Sequence, residues 1–151
     1  MKCLSVSQPY ADLIISGKKT IELRTWNTKF RGEFLIHAPL KIKKDACKRL
    51  LIGESSLRTG VIIGKVEIYD VKVYESLRDL KKDYNKHLAS DEFFHHRYGF
   101  LLRNPQPLRI PIPYKGSLGF FEANIQTKIS KNEIKSELFD EEYRYQWIGK
   151  H

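Results

Sequence analysis

The sequence predicts an α+β fold, a mixed β-barrel of about six strands with helices inserted between them. Three observations carry this prediction. The stretch from Gly60 to Tyr74 is the longest β-like run, and Gly64 inside it marks a bulge or sharp bend of the kind that lets a long strand curl into a small barrel. The remaining β-like segments are short, and the helical segments do not alternate with them as a parallel sheet requires. Asn104-Pro105-Gln106-Pro107 breaks the late β sequence, so Leu108 to Pro113 is expected as an edge or irregular strand in which each proline removes a ladder donor.

In chain order, Cys3 to Val6 alternates as a first strand. Ser7 is the expected N-cap of a short helix with Pro9 in its first turn, and Gly17, after Leu13-Ile14-Ile15, is the expected left-handed C-cap. Thr20 to Arg24 is a second strand with Ile21 and Leu23 turned to the core and Thr20, Glu22 and Arg24 on the other face. The loop from Thr25 to Gly32 carries two aromatics, Trp26 and Phe30, and two cations, Lys29 and Arg31. Glu33 to Ala38 is a third strand ended by Pro39, with His37 read as a surface or satisfied residue. Lys41 to Ile52 is expected as a basic helix with Ile42, Ala46, Arg49 and Leu50 along one stripe and Lys43, Lys44 and Lys48 on a solvated face. After the long strand, Glu75 to Ser90 turns helical, Tyr98 to Leu102 is a strand, Tyr114-Lys115-Gly116-Ser117 a turn, and Leu118 to Ala123 closes the β portion. Residues 3–127 form the expected domain and 128–151 a partly helical C-terminal extension. In that extension Ile134, Leu138, Phe139, Tyr143 and Trp147 suit one helical face, for docking on the barrel or for a protein partner.

With 151 residues and 41% hydrophobic content the chain suits one core. No apolar run approaches the ~18 residues of a membrane span, so a soluble, cytoplasmic protein with no membrane partner is expected. Cys3 and Cys47 lie in apolar contexts without CxxC spacing and read as buried free thiols. Asp91, Glu92, His95 and His96 are close together but match no standard zinc spacing, so neither a metal nor a cofactor is assigned. The net charge of +9 is concentrated: residues 1–50 hold 11 basic against 4 acidic groups, while residues 128–151 hold five of each. Such a bias favours a polyanionic partner, since neutralised phosphates release counterions.

A cluster of charges of both signs lies at Gly17-Lys18-Lys19-Thr20-Ile21-Glu22-Leu23-Arg24, where the expected helix stops and a strand begins. As an exposed ion pair, Glu22 and Arg24 would contribute only ~0–1 kcal/mol, which is little reason for the arrangement. As a binding site, Lys18, Lys19, Lys29 and Arg31 would meet phosphates and Trp26 would stack on a base, with Arg24 and the later Lys115 adding charge. Glu22 would hold the orientation of Lys19 or Arg24, or accept a base amine. As a catalytic site, Lys19 and Glu22 would be the acting pair, a charged Lys19 polarising a carbonyl while Glu22 moves the proton.

The order Leu4-Ser5-x-x-Gln8-Pro9-Tyr10-Ala11, Gly17-x-Lys19-x-x-Glu22-x-Arg24, Trp26, Arg31-Gly32 resembles the ASCH domain family. Tyr98-Gly99-Phe100, the prolines of 105–113 and Lys115-Gly116 before Leu118-Gly119-Phe120-Phe121 extend the resemblance over about residues 3–123. It implies a PUA-like barrel with a cleft beside the motif, lined by Lys19, Glu22 and Arg24, and RNA as the first partner, with DNA or a nucleoside-sized ligand as alternatives. Some small members of that family are amidohydrolases on acetylated cytidine and others are ribonucleases. In the hydrolase type a lysine stands at Lys19, a threonine at Glu22, and a downstream glutamate completes the set; here Glu75 and Glu92 are the candidates.

Overall fold

The computed structural model describes residues 1–90 and 95–125. Six strands, β1 (Lys2–Ser5), β2 (Ile21–Arg24), β3 (Gly32–Ala38), β4 (Val61–Val73), β5 (Tyr98–Pro113) and β6 (Phe120–Glu122), make one sheet in the order β2-β5-β4-β3-β1-β6. β1 runs parallel to β3 and every other pairing is antiparallel. Helices α1 (Tyr10–Ile15), α2 (Lys44–Arg49), α3 (Leu77–Lys82) and α4 (Tyr84–His87) are short insertions, as the α+β prediction requires.

β5 and β6 stand four places apart in the strand order, yet the rings of Phe100 and Phe120 stack with centroids 6.1 Å apart. The sheet is therefore curled on itself, and side chains close its seam. Trp26 packs edge-on against both of those rings at 5.2 and 5.7 Å, and Phe30 and Phe34 extend the aromatic plug. The curl comes from irregular strands. The β3–β4 register slips between Ile36 and His37, and the β4–β5 register slips beside Gly64. A Cβ on Gly64 would lie 2.6 Å from the Gln106 carbonyl oxygen and 2.9 Å from Ile15 Cδ1, so the bend needs glycine where α1 crosses the sheet.

Three local expectations are corrected. Ser7 is not the N-cap of α1: that position falls to Pro9, after a cis Gln8–Pro9 bond, and the Gln8 side-chain oxygen accepts from Asp12 N–H at 3.0 Å. Gln8, fully buried, also donates to Asp12 and to the Arg58 carbonyl, so it fills the role that a shorter hydroxyl was expected to take. The Lys41–Ile52 helix shrinks to α2, because Lys43, with φ −83° and ψ 89°, is not helical and gives its N–H to the Gln8 carbonyl; Lys43, Lys44 and Lys48 are exposed. The late β sequence is not broken at its prolines. β5 runs through them as one strand, turning at Asn104 with a positive φ of 55°; among the described residues its proline-rich half pairs with β4 alone, the edge position expected for Leu108 to Pro113, and so needs no donors on the other side.

The main core joins Leu4, Val6, α1 and the inner residues of β3, β4 and β5, while Ile21 and Leu23 pack with Tyr74, Leu80 and Ala89 in a satellite cluster. Cys3 and Cys47 are buried free thiols, and burial pushes the Cys3 thiol up to about 12. His37 is buried and satisfied. No helix among the described residues is long and apolar enough to cross a membrane. The expected C-terminal extension and Glu92 lie outside the described residues.

Candidate functional site

α1 ends where Gly17 adopts a φ of 82° and gives its N–H to the Ile14 carbonyl, and Lys19 N–H then closes on Leu13. That turn aims the Lys19 side chain inward instead of into solvent. The ammonium is only 2% exposed, bonds the His87 carbonyl at the end of α4 at 2.5 Å, and lies 5.0 Å from the centre of the Tyr10 ring. β2 then places Glu22 and Arg24 on the same side, as the alternation of the strand demands. Glu22 Oε1 is 3.4 Å from Lys19 Nζ, and Glu22 Oε2 receives Arg24 Nε at 3.1 Å and Nη2 at 2.8 Å. Arg24 Nη2 also donates to the Ser5 carbonyl at 2.8 Å, tying the array to the end of β1.

These groups form one wall of a cavity of about 200 Å³ completed by Ser5, Ser7, Tyr10, Lys43, Ala89 and His96. Burial strongly disfavours charge on Glu22, but Arg24 and Lys19 together outweigh it and hold the carboxyl below its usual range. Burial lowers the Lys19 ammonium, with Glu22 opposing. His96 is lowered as well, chiefly by burial. The carboxylate is thus a clamped acceptor, the lysine a buried cation eased toward release of its proton, and among the described residues Arg24 Nη1 has no hydrogen-bond acceptor.

Of the residues singled out in the sequence, Lys19, Glu22 and Arg24 come together and line this cavity. Lys18, Lys29 and Arg31 do not. Lys18 is exposed at a separate hollow with Asp12 and Arg58. Lys29 is exposed on its loop, and Arg31 donates to the Thr28 and Phe30 carbonyls and faces Asp70 at 3.6 Å. Trp26 is half-buried in the aromatic plug, and Lys115 lines a neighbouring groove. Ser5, Ser7, Tyr10, Lys43 and His96 have no place in the site as read from the sequence: Ser7 was expected as a helix cap, Lys43 on a solvated face and His96 beside other polar residues without a metal. Ser5 and Tyr10 stand in the motif that carries the resemblance, but Lys43 and His96 reach the cavity only through folding. Glu75, exposed after β4, does not line the cavity. No group of three metal-ligating side chains occurs among the described residues.

The sequence profile of the ASCH domain matches residues 4–109, more than half of the chain. The chain belongs to the ASCH domain family. Activating signal cointegrator 1 from human is 29% identical over 127 residues and that from mouse 30%; in each case the match covers 76% of this chain and 21% of the relative. The chain thus spans about a fifth of the length of these relatives. Among solved structures, ASCH from Zymomonas mobilis superposes with a TM-score of 0.58 at 18% identity, covering 99% of this chain and 93% of that one. A serine-to-alanine mutant of the same Zymomonas mobilis protein superposes at 0.57 with 20% identity, covering 89% and 92%. At that identity these structures establish the fold: the six-stranded curled sheet is the ASCH, PUA-like architecture.

Proposed function

We propose that this ASCH domain binds single-stranded nucleic acid, RNA first, and takes one base into the cavity walled by Lys19, Glu22 and Arg24. The observation that carries the reading is the pre-organised Lys19–Glu22–Arg24 array, with Lys19 and Glu22 buried and Arg24 partly exposed, facing a cavity of about 200 Å³. Drug-sized ligands occupy roughly 300–1,000 Å³, so the cavity suits a base or a small nucleoside fragment and not a duplex. A base must be unpaired to enter, and unpaired, splayed-out bases are what proteins read in single-stranded RNA. Glu22, held ionised, accepts an exocyclic amine; Arg24 Nη1 donates to a ring carbonyl; Lys43 at the mouth meets phosphate. The family resemblance supports RNA as the polymer, and the +9 net charge supports any polyanion. The test is titration of a labelled single-stranded oligoribonucleotide across a salt series. Affinity is expected to fall steeply with salt, and Lys43→Ala to reduce the logarithmic salt slope by about 0.7, the value of one single-strand phosphate contact. Salt-independent binding, or preference for a duplex, would overturn the reading.

A second reading, hydrolysis of an acylated nucleoside, is favoured by one observation: burial lowers the Lys19 ammonium inside a cavity of base size. Lys19 would then carry the proton chemistry, with Glu22 orienting it. Purified protein is incubated with acetylcytidine; release of acetate that disappears in Lys19→Ala supports hydrolysis, and turnover that survives the substitution removes Lys19 from it.

A further inference from the structure

Beside the cavity lies a broader, open groove of about 900 Å³, and Ser5 and Ser7 line both. The seam between them is held by hydrogen bonds. Ser5 Oγ is 2.9 Å from His37 Nδ1, and His37 Nε2 is 2.7 Å from the Tyr114 carbonyl. A carbonyl only accepts, so Nε2 donates to it, and in the neutral imidazole Nδ1 then accepts from the Ser5 hydroxyl. Gly116 closes over this pair: a Cβ there would sit 2.6 Å from Ser5 Oγ and 2.7 Å from the His37 ring. The 114–117 turn, with Lys115 on it, is thereby pinned to the end of β1, which also holds Arg24 through the Ser5 carbonyl.

The groove has a chemistry of its own. Among the described residues no acidic side chain lines it, Lys115 stands at its edge, and its apolar wall presents Leu40 and Leu118 with 78% and 96% of their surface in solvent. Two large aliphatic side chains so exposed beside a cation suit a partner with an apolar face and an anionic edge, which is the profile of a nucleotide.

Building on the proposed base-binding reading, we propose that cavity and groove are two subsites of one track: a single strand places one base in the cavity, crosses Ser5 and Ser7, and lays its neighbouring nucleotide in the groove. The neighbouring base covers Leu40 and Leu118, and its phosphate meets Lys115. The size difference assigns the subsites, since a groove of about 900 Å³ admits a whole nucleotide and a cavity of about 200 Å³ admits a base-sized portion.

The experiment compares the ribonucleoside 5′-monophosphates with a mixed-sequence ribohexanucleotide, by calorimetry on the full chain and on the double variant Lys115→Glu, Leu118→Asp. Both substituted side chains reach solvent, so folding is preserved and is checked by an unchanged thermal transition. The hexanucleotide is expected to bind more tightly than any monophosphate. The double variant is expected to weaken it by about tenfold or more, from one lost phosphate contact and a charge placed on the apolar wall, while monophosphate binding in the cavity, the part that Arg24→Lys weakens, stays unchanged. If monophosphates bind but the hexanucleotide gains nothing, or the double variant leaves it unaffected, the track is wrong and the base-binding reading stands. If neither ligand binds, the base-binding reading falls and the track with it.

Discussion

Replacing Glu22 by alanine is expected to destabilise the protein by about 3–5 kcal/mol, the usual cost of removing one partner from a buried charge array. At about 2–4 °C per kcal/mol for a domain of this size, the melting temperature should fall on the order of 10 °C. Lys19 and Arg24 would be left facing each other, Lys19 at 2% exposure, with no anion between them. The pH dependence separates this electrostatic loss from lost packing. The Glu22 carboxyl is held below its ordinary value of 4.5, so the unfolded chain binds its proton first on acidification. Its stabilising contribution is complete above that ordinary value and disappears as pH falls through the folded one. The stability gap between the native protein and Glu22→Ala, followed by chemical denaturation, should be flat near neutrality and narrow below about pH 4.5. A gap of the same size at pH 3 and pH 7 would show that packing alone was lost. Lys19 has the opposite sign: with its folded value lowered, its buried charge costs stability at neutral pH and the cost is relieved as pH rises toward 10.5.

The second large effect is expected from Arg24→Lys, on binding. An ammonium keeps the charge opposite Glu22, so the fold should survive. It cannot reproduce the planar fork that spans Glu22 Oε2 and the Ser5 carbonyl while keeping Nη1 for a ligand. Loss of one charge-assisted hydrogen bond, ~1.5–3 kcal/mol, corresponds to about tenfold to a hundredfold weaker binding of a ribonucleoside monophosphate. The measurement is calorimetric titration of that ligand into both proteins. Unchanged affinity in a folded Arg24→Lys protein would place the ligand away from Arg24 and remove the cavity from the binding reading.

Much of the fold was legible because its signals are local. Alternation marked Ile21 and Leu23 as core residues, Gly17 marked the end of α1, and Gly64 marked the bend where Gln106 and Ile15 crowd the backbone. The misreadings arose where a distant group intervened. Gln8 took the capping role from Ser7 because the Arg58 carbonyl, 50 residues away, holds its side chain in place. The prolines of β5 marked an edge strand correctly but also looked like a break, because nothing local shows that β4 would pair with β5 on both sides of Asn104. At the site, the motif placed Lys19, Glu22 and Arg24 together, but composition gathered Lys18, Lys29 and Arg31 with them only by nearness in sequence.

By itself, the sequence determined that a lysine, a glutamate and an arginine would leave the Gly17 turn close together, because a glycine stop and a period-two strand allow little else. Tertiary structure alone decided that they would be a buried array and not a surface ion pair. The His87 carbonyl that receives Lys19 is 68 residues away, and the Ser5 carbonyl that receives Arg24 is 19 away, so both arrive only when α4 and β1 pack beside β2. Burial is what turns these charges from a weak exposed pair into a clamped acceptor with oriented donors, and burial is a property of neighbours that the motif does not contain.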